Sequence, residues 1–205
     1  MNLLDIMKLA NTFCGLQDTI DTVASLKDVQ MDLYNFVRQA NIQIQLMRDN
    51  WKFMNATYVV ATDGTDSITN TEVAKWVKIF YSKKSLVYVP YDEYLEEDNW
   101  DVPGVPTRFT IVPETNEVIT NQFDATYTLT ARYIRNPVDI SQNADVSIIP
   151  ERFHSLIAYK ASAAFGSWLG NVEIEDRNQL QTDILMGQLL RSECPASFVN
   201  LTPMA

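Results

Sequence analysis

Glycine occurs six times in 205 residues, cysteine twice and histidine once, and each scarcity removes a class of chemistry. The glycines stand at 15, 64, 104, 166, 170 and 187. Such scatter forms neither a phosphate-cradling loop nor a dinucleotide fingerprint, which need several glycines within a few residues. A lone histidine, His154, excludes paired-histidine metal motifs, and with two cysteines it leaves too few ligands for a structural zinc. Cys14 and Cys194, at opposite ends of the sequence, make no disulfide framework, so the expectation is two free thiols in a reducing compartment. Apolar runs extend only a few residues, far short of the roughly 20 needed to cross a bilayer. No basic leader precedes a long apolar run in the first residues, so the expectation is a soluble protein without a secretory signal or membrane segment.

Basic residues are also in deficit, 16 against 26 acidic, for a net charge of −10. Tight wrapping of nucleic acid draws its affinity from neutralised phosphates, and an acidic chain works against that. A repelled polyanion can still slide past such a surface. What the chain has in quantity is apolar residues, 46%, with four Trp, nine Tyr and nine Phe. That is enough to bury a core and excludes low-complexity readings.

The patterning changes twice along the chain. A short helix is expected first, with Leu3, Met7, Ala10 and Phe13 or Cys14 inward and Gly15 near its stop. Over 26–52, Val29, Leu33, Phe36, Val37, Ala40, Ile44, Met47 and Trp51 recur at helical steps, with Ser25 and Asp28 placed as a capping box. From there β-branched and aromatic residues gather in short runs. A hairpin is expected around Asp63-Gly64, joining 58–61 to 67–70, and a second around Ser82-Lys83-Lys84, joining 76–81 to 85–89. Residues 91–100 suit one or two helical turns, 108–112 and 117–121 a strand pair, and 125–134 a strand with Tyr127, Leu129, Ala131 and Tyr133 on one face. Helical spacing returns at Pro150, with Phe153, Ile157, Ala161, Ala164 and Trp168 as its stripe. Gly170-Asn171 stops that helix, and 172–191 gives another with Leu180, Ile184 and Gly187 or Gln188 inward. Amphipathic helices at both ends must bury their stripes on each other. The fold class is therefore α+β: a helical bundle of N- and C-terminal helices (1–54 and 148–193) with an inserted antiparallel β-rich domain (55–147). A C-terminal segment, 194–205, completes the chain as a partner-binding tail.

Candidate chemistry is sparse. A Ser-His-Asp arrangement would have to use His154, which lies beside Phe153 and Leu156 in a first helical turn and reads as a helix-surface or interface residue. Asp92, Glu93, Glu96, Glu97, Asp98 and Asp101 form the densest carboxylate cluster, with the spacing of a calcium site or an acid/base pair, or of a solvated face. Asp63-Gly64-Thr65-Asp66 lacks the terminal Glu of a calcium loop and reads as a turn. Lys83 and Lys84 on a hairpin tip suit phosphate or an acidic partner surface, or simply a solvated turn. Phe198, Val199 and Leu201 sit in a tail too short for a core of its own. Such a tail either folds back or orders on a partner, for instance by adding a strand. No catalytic residue, cofactor or metal ligand is assigned, and no enzymatic role is expected.

The run from Ile148, IIPERFHSLIAYKASAAFGSWLG, resembles the head-to-tail adaptor (connector) proteins of tailed bacteriophages. Upstream, Tyr127, Leu129, Tyr133 and Pro137 match the Tyr-x-Leu-x-x-x-Tyr strand and x-Pro step before such a helix. Gly104-Val-Pro106 before Phe109 and Ile111 matches the Gly-x-Pro before a strand, and Trp51-Lys-Phe53 fits the end of the long helix. The resemblance covers about 29–192, departing at the acidic stretch 92–101 and at His154. It implies a non-enzymatic virion protein of the neck, between capsid and tail, present in host cytoplasm before assembly. Copies, typically twelve, would form a homo-oligomeric ring that docks on the portal protein, extends the channel for passing double-stranded DNA and gives tail or nozzle proteins a platform, with a part in genome ejection. Lys83, Lys84, Phe198, Val199 and Leu201 are the expected portal or neighbour contacts. The alternative reading is a glycan or cell-surface binding module of a phage tail built on Tyr91, Tyr94 and Trp100, and a third is a hydrolase using the 92–101 carboxylates.

Overall fold

The structure is a computed structural model that describes residues 1–205 apart from 17–18, 27, 63–66, 98–99, 101, 122 and 195–205. It divides into two compact units, one made of Met1–Met54 with the chain from Pro137 onward, the other of Asn55–Asn136. Helices stand at both ends of the sequence and the β-rich insertion between them, an α+β architecture.

In the helical unit, α1 spans Leu3–Phe13, α2 Val29–Leu46, α4 His154–Leu169 and α5 Val172–Glu193; α3, Tyr91–Glu96, belongs to the insertion. Helix α4 packs on all three of the others. Phe13 of α1 stacks on Tyr159 at 4.1 Å, and Phe36 of α2 meets Phe165 edge-on at 5.9 Å. Because it is wrapped, α4 buries His154, Leu156, Ile157, Ala158, Ala161, Ser162, Ala163, Phe165 and Gly166, more than one stripe can hold. The expected stripe is right for Phe153, Ile157 and Ala161, but Ala164 and Trp168 face outward.

Local chemistry sets the helix ends. Asn2 accepts from the Asp5 amide at 2.9 Å while the Asp5 carboxylate accepts from the Asn2 amide at 3.2 Å, closing a capping box on α1. The box expected at Ser25 and Asp28 is absent: Asp28 has φ +43 and makes no side-chain cap bond. Helix α2 is also shorter than expected. It stops at Leu46, and Trp51, fully buried, folds back so that its indole donates to the Ile44 carbonyl at 3.0 Å. Gly170, at φ +70, turns the chain from α4 into α5.

That turn fixes which face of α5 is buried, and the outcome corrects the expectation. Asn178, Thr182, Met186 and Leu189 point inward, whereas Leu180 and Ile184 are 59% and 46% exposed. Polar Asn178 and Thr182 can be buried because each is satisfied within the helix, Asn178 donating to the Ile174 carbonyl at 2.8 Å and Thr182 to the Asn178 carbonyl at 2.9 Å. Gly166 lets the two helices approach closely, since a Cβ there would lie 2.8 Å from the Glu175 amide nitrogen.

Residues 137–147 belong to the helical unit, whereas the sequence reading extends the insertion to 147. They form a strap held by α2. Val138 donates its amide to Gln45 at 2.8 Å, and its carbonyl accepts from Asn41 at 2.8 Å and Gln45 at 3.0 Å. Tyr34 donates to the Ser141 carbonyl, Arg38 pairs with Asp139, and Ser147 donates to the fully buried Asn41 at 2.6 Å. Ile140, wholly buried, is the strap's apolar anchor. Asp145 accepts the Ser141 and Gln142 amides at 2.7 and 2.8 Å, and these bonds hold its carboxyl below the usual range.

The insertion contains β1 Asn55–Ala61, β2 Ser67–Ile68, β3 Val73–Tyr81, β4 Lys84–Ser85, β5 Val87–Tyr88, β6 Arg108–Ile111, β7 Val118–Thr120 and β8 Thr128–Arg135. They form two four-stranded sheets, ordered β1-β8-β3-β4 and β2-β7-β6-β5, antiparallel except for the β5–β6 pair. Ile68, Trp76, Ile79, Leu86, Phe109, Val118, Leu129 and Tyr133 fill the core, drawn from both sheets. The hairpin expected between 58–61 and 67–70 does not form, because β1 pairs with β8 and β2 with β7; Asp63 and Gly64 lie outside the described residues. The second hairpin forms, with Ser82 and Lys83 at φ +45 and +68 in its two-residue loop. Its return strand splits at the buried Leu86, so that β4 stays with β3 and β5 crosses to β6. Strands β6 and β7 pair as expected, and β8 buries Leu129, Ala131 and Tyr133 on one face.

Asn41→Ala should lower unfolding free energy by about 1–3 kcal/mol in urea titrations, because it strands the buried Ser147 hydroxyl and removes one of the two amides that donate to the Val138 carbonyl. Gly166→Ala should cost about 1–2 kcal/mol despite the better helix propensity of alanine, overpacking outweighing the gain. Asp145 contributes stability above its ordinary unfolded pKa and loses it as pH falls through its depressed folded value. Asp145→Asn should therefore destabilise at neutral pH and converge on the parent as pH falls from about 5 towards 2, followed by thermal melts.

Candidate functional site

The residues best suited to catalysis are built into the scaffold. His154 is 1% exposed; its Nε2 lies 2.7 Å from the Ile149 carbonyl, to which it donates, and its Nδ1 has no partner. Among the described residues, no nucleophile or carboxylate is hydrogen-bonded to that ring. Sequence reasoning placed His154 on a helix surface or interface, and wrapping of α4 buries it instead. Cys14 is buried and free, its thiol pushed up by desolvation, and Cys194 is free and half-buried. Among the described residues, no group of three or more His, Cys, Asp or Glu side chains could hold a metal ion, and no helix is long and apolar enough to cross a membrane.

The aromatic set in the insertion is a lock rather than an open platform. Trp100 is 4% exposed, and its indole donates to the Thr120 carbonyl at 3.1 Å. Tyr94 meets it edge-on at 4.8 Å and stacks on Tyr91, while Arg108 covers the indole at 5.0 Å and pairs with Glu97 at 2.5 Å. These contacts tie α3 to β6 and β7 and leave Asp92, Glu93 and Glu96 facing solvent.

What the molecule offers outward is surface. Lys83 and Lys84 are exposed at the β3–β4 hairpin tip, as expected. Phe198, Val199 and Leu201 lie outside the described residues. The turn of α5 that leads to them is anchored, with Lys52 donating to the Ser192 carbonyl at 2.8 Å and Arg152 pairing with Glu193 at 3.0 Å. The helical unit adds apolar groups that sequence reasoning had assigned inward or passed over. Trp168, Leu169 and Val172 are 56%, 47% and 63% exposed at the α4–α5 corner, and Leu180 and Ile184 continue along α5. Apolar residues crowding both sides of Gly170-Asn171 were the available signal, since a corner can turn only some of them inward. A shallow groove of about 640 Å³ along α2, lined by Asn35, Arg38, Gln39, Ile42, Gln43 and Asp139, mixes amide, charged and aliphatic groups. Solvated apolar and mixed faces of this kind suit protein partners.

No curated protein matches the chain. A family model described as SU10 adaptor protein matches residues 1–193. That span takes in both units: the helices wrapped on α4, the strap and the β insertion. Such a match supports a structural head-to-tail adaptor role. The chain belongs to the SU10 adaptor protein family, a family of phage adaptors.

Proposed function

We propose that this chain docks on the portal protein, where copies of it close into a homo-oligomeric ring of twelve, extend the DNA channel and present a platform to tail or nozzle proteins. The observation that carries the reading is the family match over 1–193. Two features support it further. Leu180, Ile184, Val172 and Trp168 are large apolar groups left in solvent on one helical unit, as a subunit awaiting neighbours would leave them. The net charge of −10 suits a passage in which double-stranded DNA slides without specific binding, during packaging and during ejection. In this reading the protein moves from host cytoplasm to the virion neck, Lys83 and Lys84 meet an acidic partner surface, and Phe198, Val199 and Leu201 dock on the portal or a neighbouring copy. The inserted domain and the tail act as separate contact modules.

Mixing the purified chain with the portal ring of its own phage should give co-migration in gel filtration and an added ring layer in electron micrographs. Removing residues 195–205, or combining Phe198→Ala, Val199→Ala and Leu201→Ala, should weaken portal binding at least about tenfold without altering the melting temperature. Absence of any complex with the parent chain would overturn the adaptor reading.

A further inference from the structure

Charge in the insertion is sharply divided. Lys75, Lys78, Lys84, Arg132 and Arg135 stand in the strands of the β1-β8-β3-β4 sheet, with Lys83 in its hairpin turn, and those four strands contain no Asp or Glu. The acidic residues of the unit lie elsewhere. Paired residues of an antiparallel ladder share a face, so the register sorts the side chains. Ala56, Tyr58 and Val60 pair with Tyr133, Ala131 and Leu129 and face the core. The opposite face reads Asn55–Ile134–Lys75, then Thr57–Arg132–Lys78, then Val59–Thr130–Phe80. Lys75, Lys78 and Arg132 are exposed there, and none forms an ion pair among the described residues. Beside Asn55, Thr57 and Thr130, the face also carries exposed apolar groups. Val59 is 61% exposed, and Val77, left unpaired by a bulge in β3, is 43% exposed.

The same unit carries the complement. Helix α3 is held by Tyr91 and Tyr94, while Asp92, Glu93 and Glu96 point to solvent around Leu95, itself 65% exposed. None of the three carboxylates forms an ion pair among the described residues. One patch is basic with exposed valines on the same face, the other acidic with an exposed leucine among its carboxylates. Apolar groups mixed with complementary charge suit a protein interface, whereas a phosphate backbone would leave the valines and Leu95 without a role.

We propose that the outward face of the β1-β8-β3-β4 sheet is the docking surface for helix α3 of a second copy of this chain, Lys75, Lys78 and Arg132 meeting Asp92, Glu93 and Glu96 while Leu95 seats against Val59 and Val77. Two different patches on one chain make a head-to-tail contact, the kind that builds a ring when its rotation closes. The inference rests on the ring reading given above and names the contact that builds it.

Charge reversal tests it on the full chain by sedimentation velocity up to about 1 mM protein at low salt. The parent should self-associate, and raising NaCl from about 50 to about 500 mM should weaken that association. Lys75→Glu with Lys78→Glu, or Glu93→Lys with Glu96→Lys, should each weaken it at least about tenfold with circular dichroism unchanged. An equimolar mixture of the two double variants, and a quadruple variant carrying both pairs, should regain it. A parent that stays monomeric at about 1 mM overturns the proposal. So do single-patch variants that associate like the parent, or a quadruple variant that gains nothing. Binding of a double-stranded DNA oligonucleotide that is lost in Lys75→Glu with Lys78→Glu while self-association persists overturns it in favour of a nucleic-acid face. Portal co-migration separates the two readings: a chain that binds portal yet ignores charge reversal loses only this interface, and one that shows charge rescue but never binds portal loses only the adaptor assignment.

Discussion

Helix α4 has almost no free side, and the helical unit is organised by the need to bury it. Its residues from His154 to Gly166 are packed by α1 and α2 from the start of the chain and by α5 from the end. Each fully buried Leu, Ile or Phe side chain contributes about 1.5–3 kcal/mol when taken from water. Residues more than a hundred positions apart are thereby held in one body, and a β-rich segment between them must leave and return at neighbouring points. An insertion is the topology that satisfies this constraint.

Burial alone does not fix register, and the polar strap supplies it. Asn41 and Gln45 lie on the buried face of α2, where an amide without partners would be costly. Their hydrogen bonds to Val138 and Ser147 allow only one placement of 137–147 along the helix. The same logic recurs in α5, where Asn178 and Thr182 satisfy themselves on their own helix and can therefore face α4, turning Leu180 and Ile184 out. Outward apolar groups on a subunit scaffold are the physical counterpart of an adaptor's role. In the insertion the aromatics Tyr94 and Trp100 lock α3 to the sheet, and Asp92, Glu93 and Glu96 face solvent.

Periodicity in the sequence was enough to mark the terminal helices, the strand pair around 113–116, the hairpin at Ser82-Lys83 and the buried face of β8. Those features are set by local geometry: a 3.6-residue or two-residue repeat and the positive φ of turn residues. The resemblance to phage adaptors was likewise legible in the Pro-led helix and the strand before it. The β1–β2 hairpin was misread because both candidate strands are genuine, and pairing depends on non-local partners, β8 and β7, that no turn motif encodes. Trp100 was misread as exposed because its cover, Arg108 and Tyr94, arrives from elsewhere in the unit.

By itself the sequence determined the fold class, helices flanking a β insertion, together with one histidine, dispersed glycines and a surplus of acid, a composition without a phosphate loop, a dinucleotide fingerprint or a paired-histidine metal motif. Only the tertiary structure decided which apolar side chains are core and which are surface. It put Trp168, Leu180 and Ile184 outside and His154 inside, and it gathered Lys75, Lys78 and Arg132 on one face of a sheet. The physical reason is that a periodic pattern states how residues share a face of their own element, while the azimuth of that face is set by packing against elements distant in the chain.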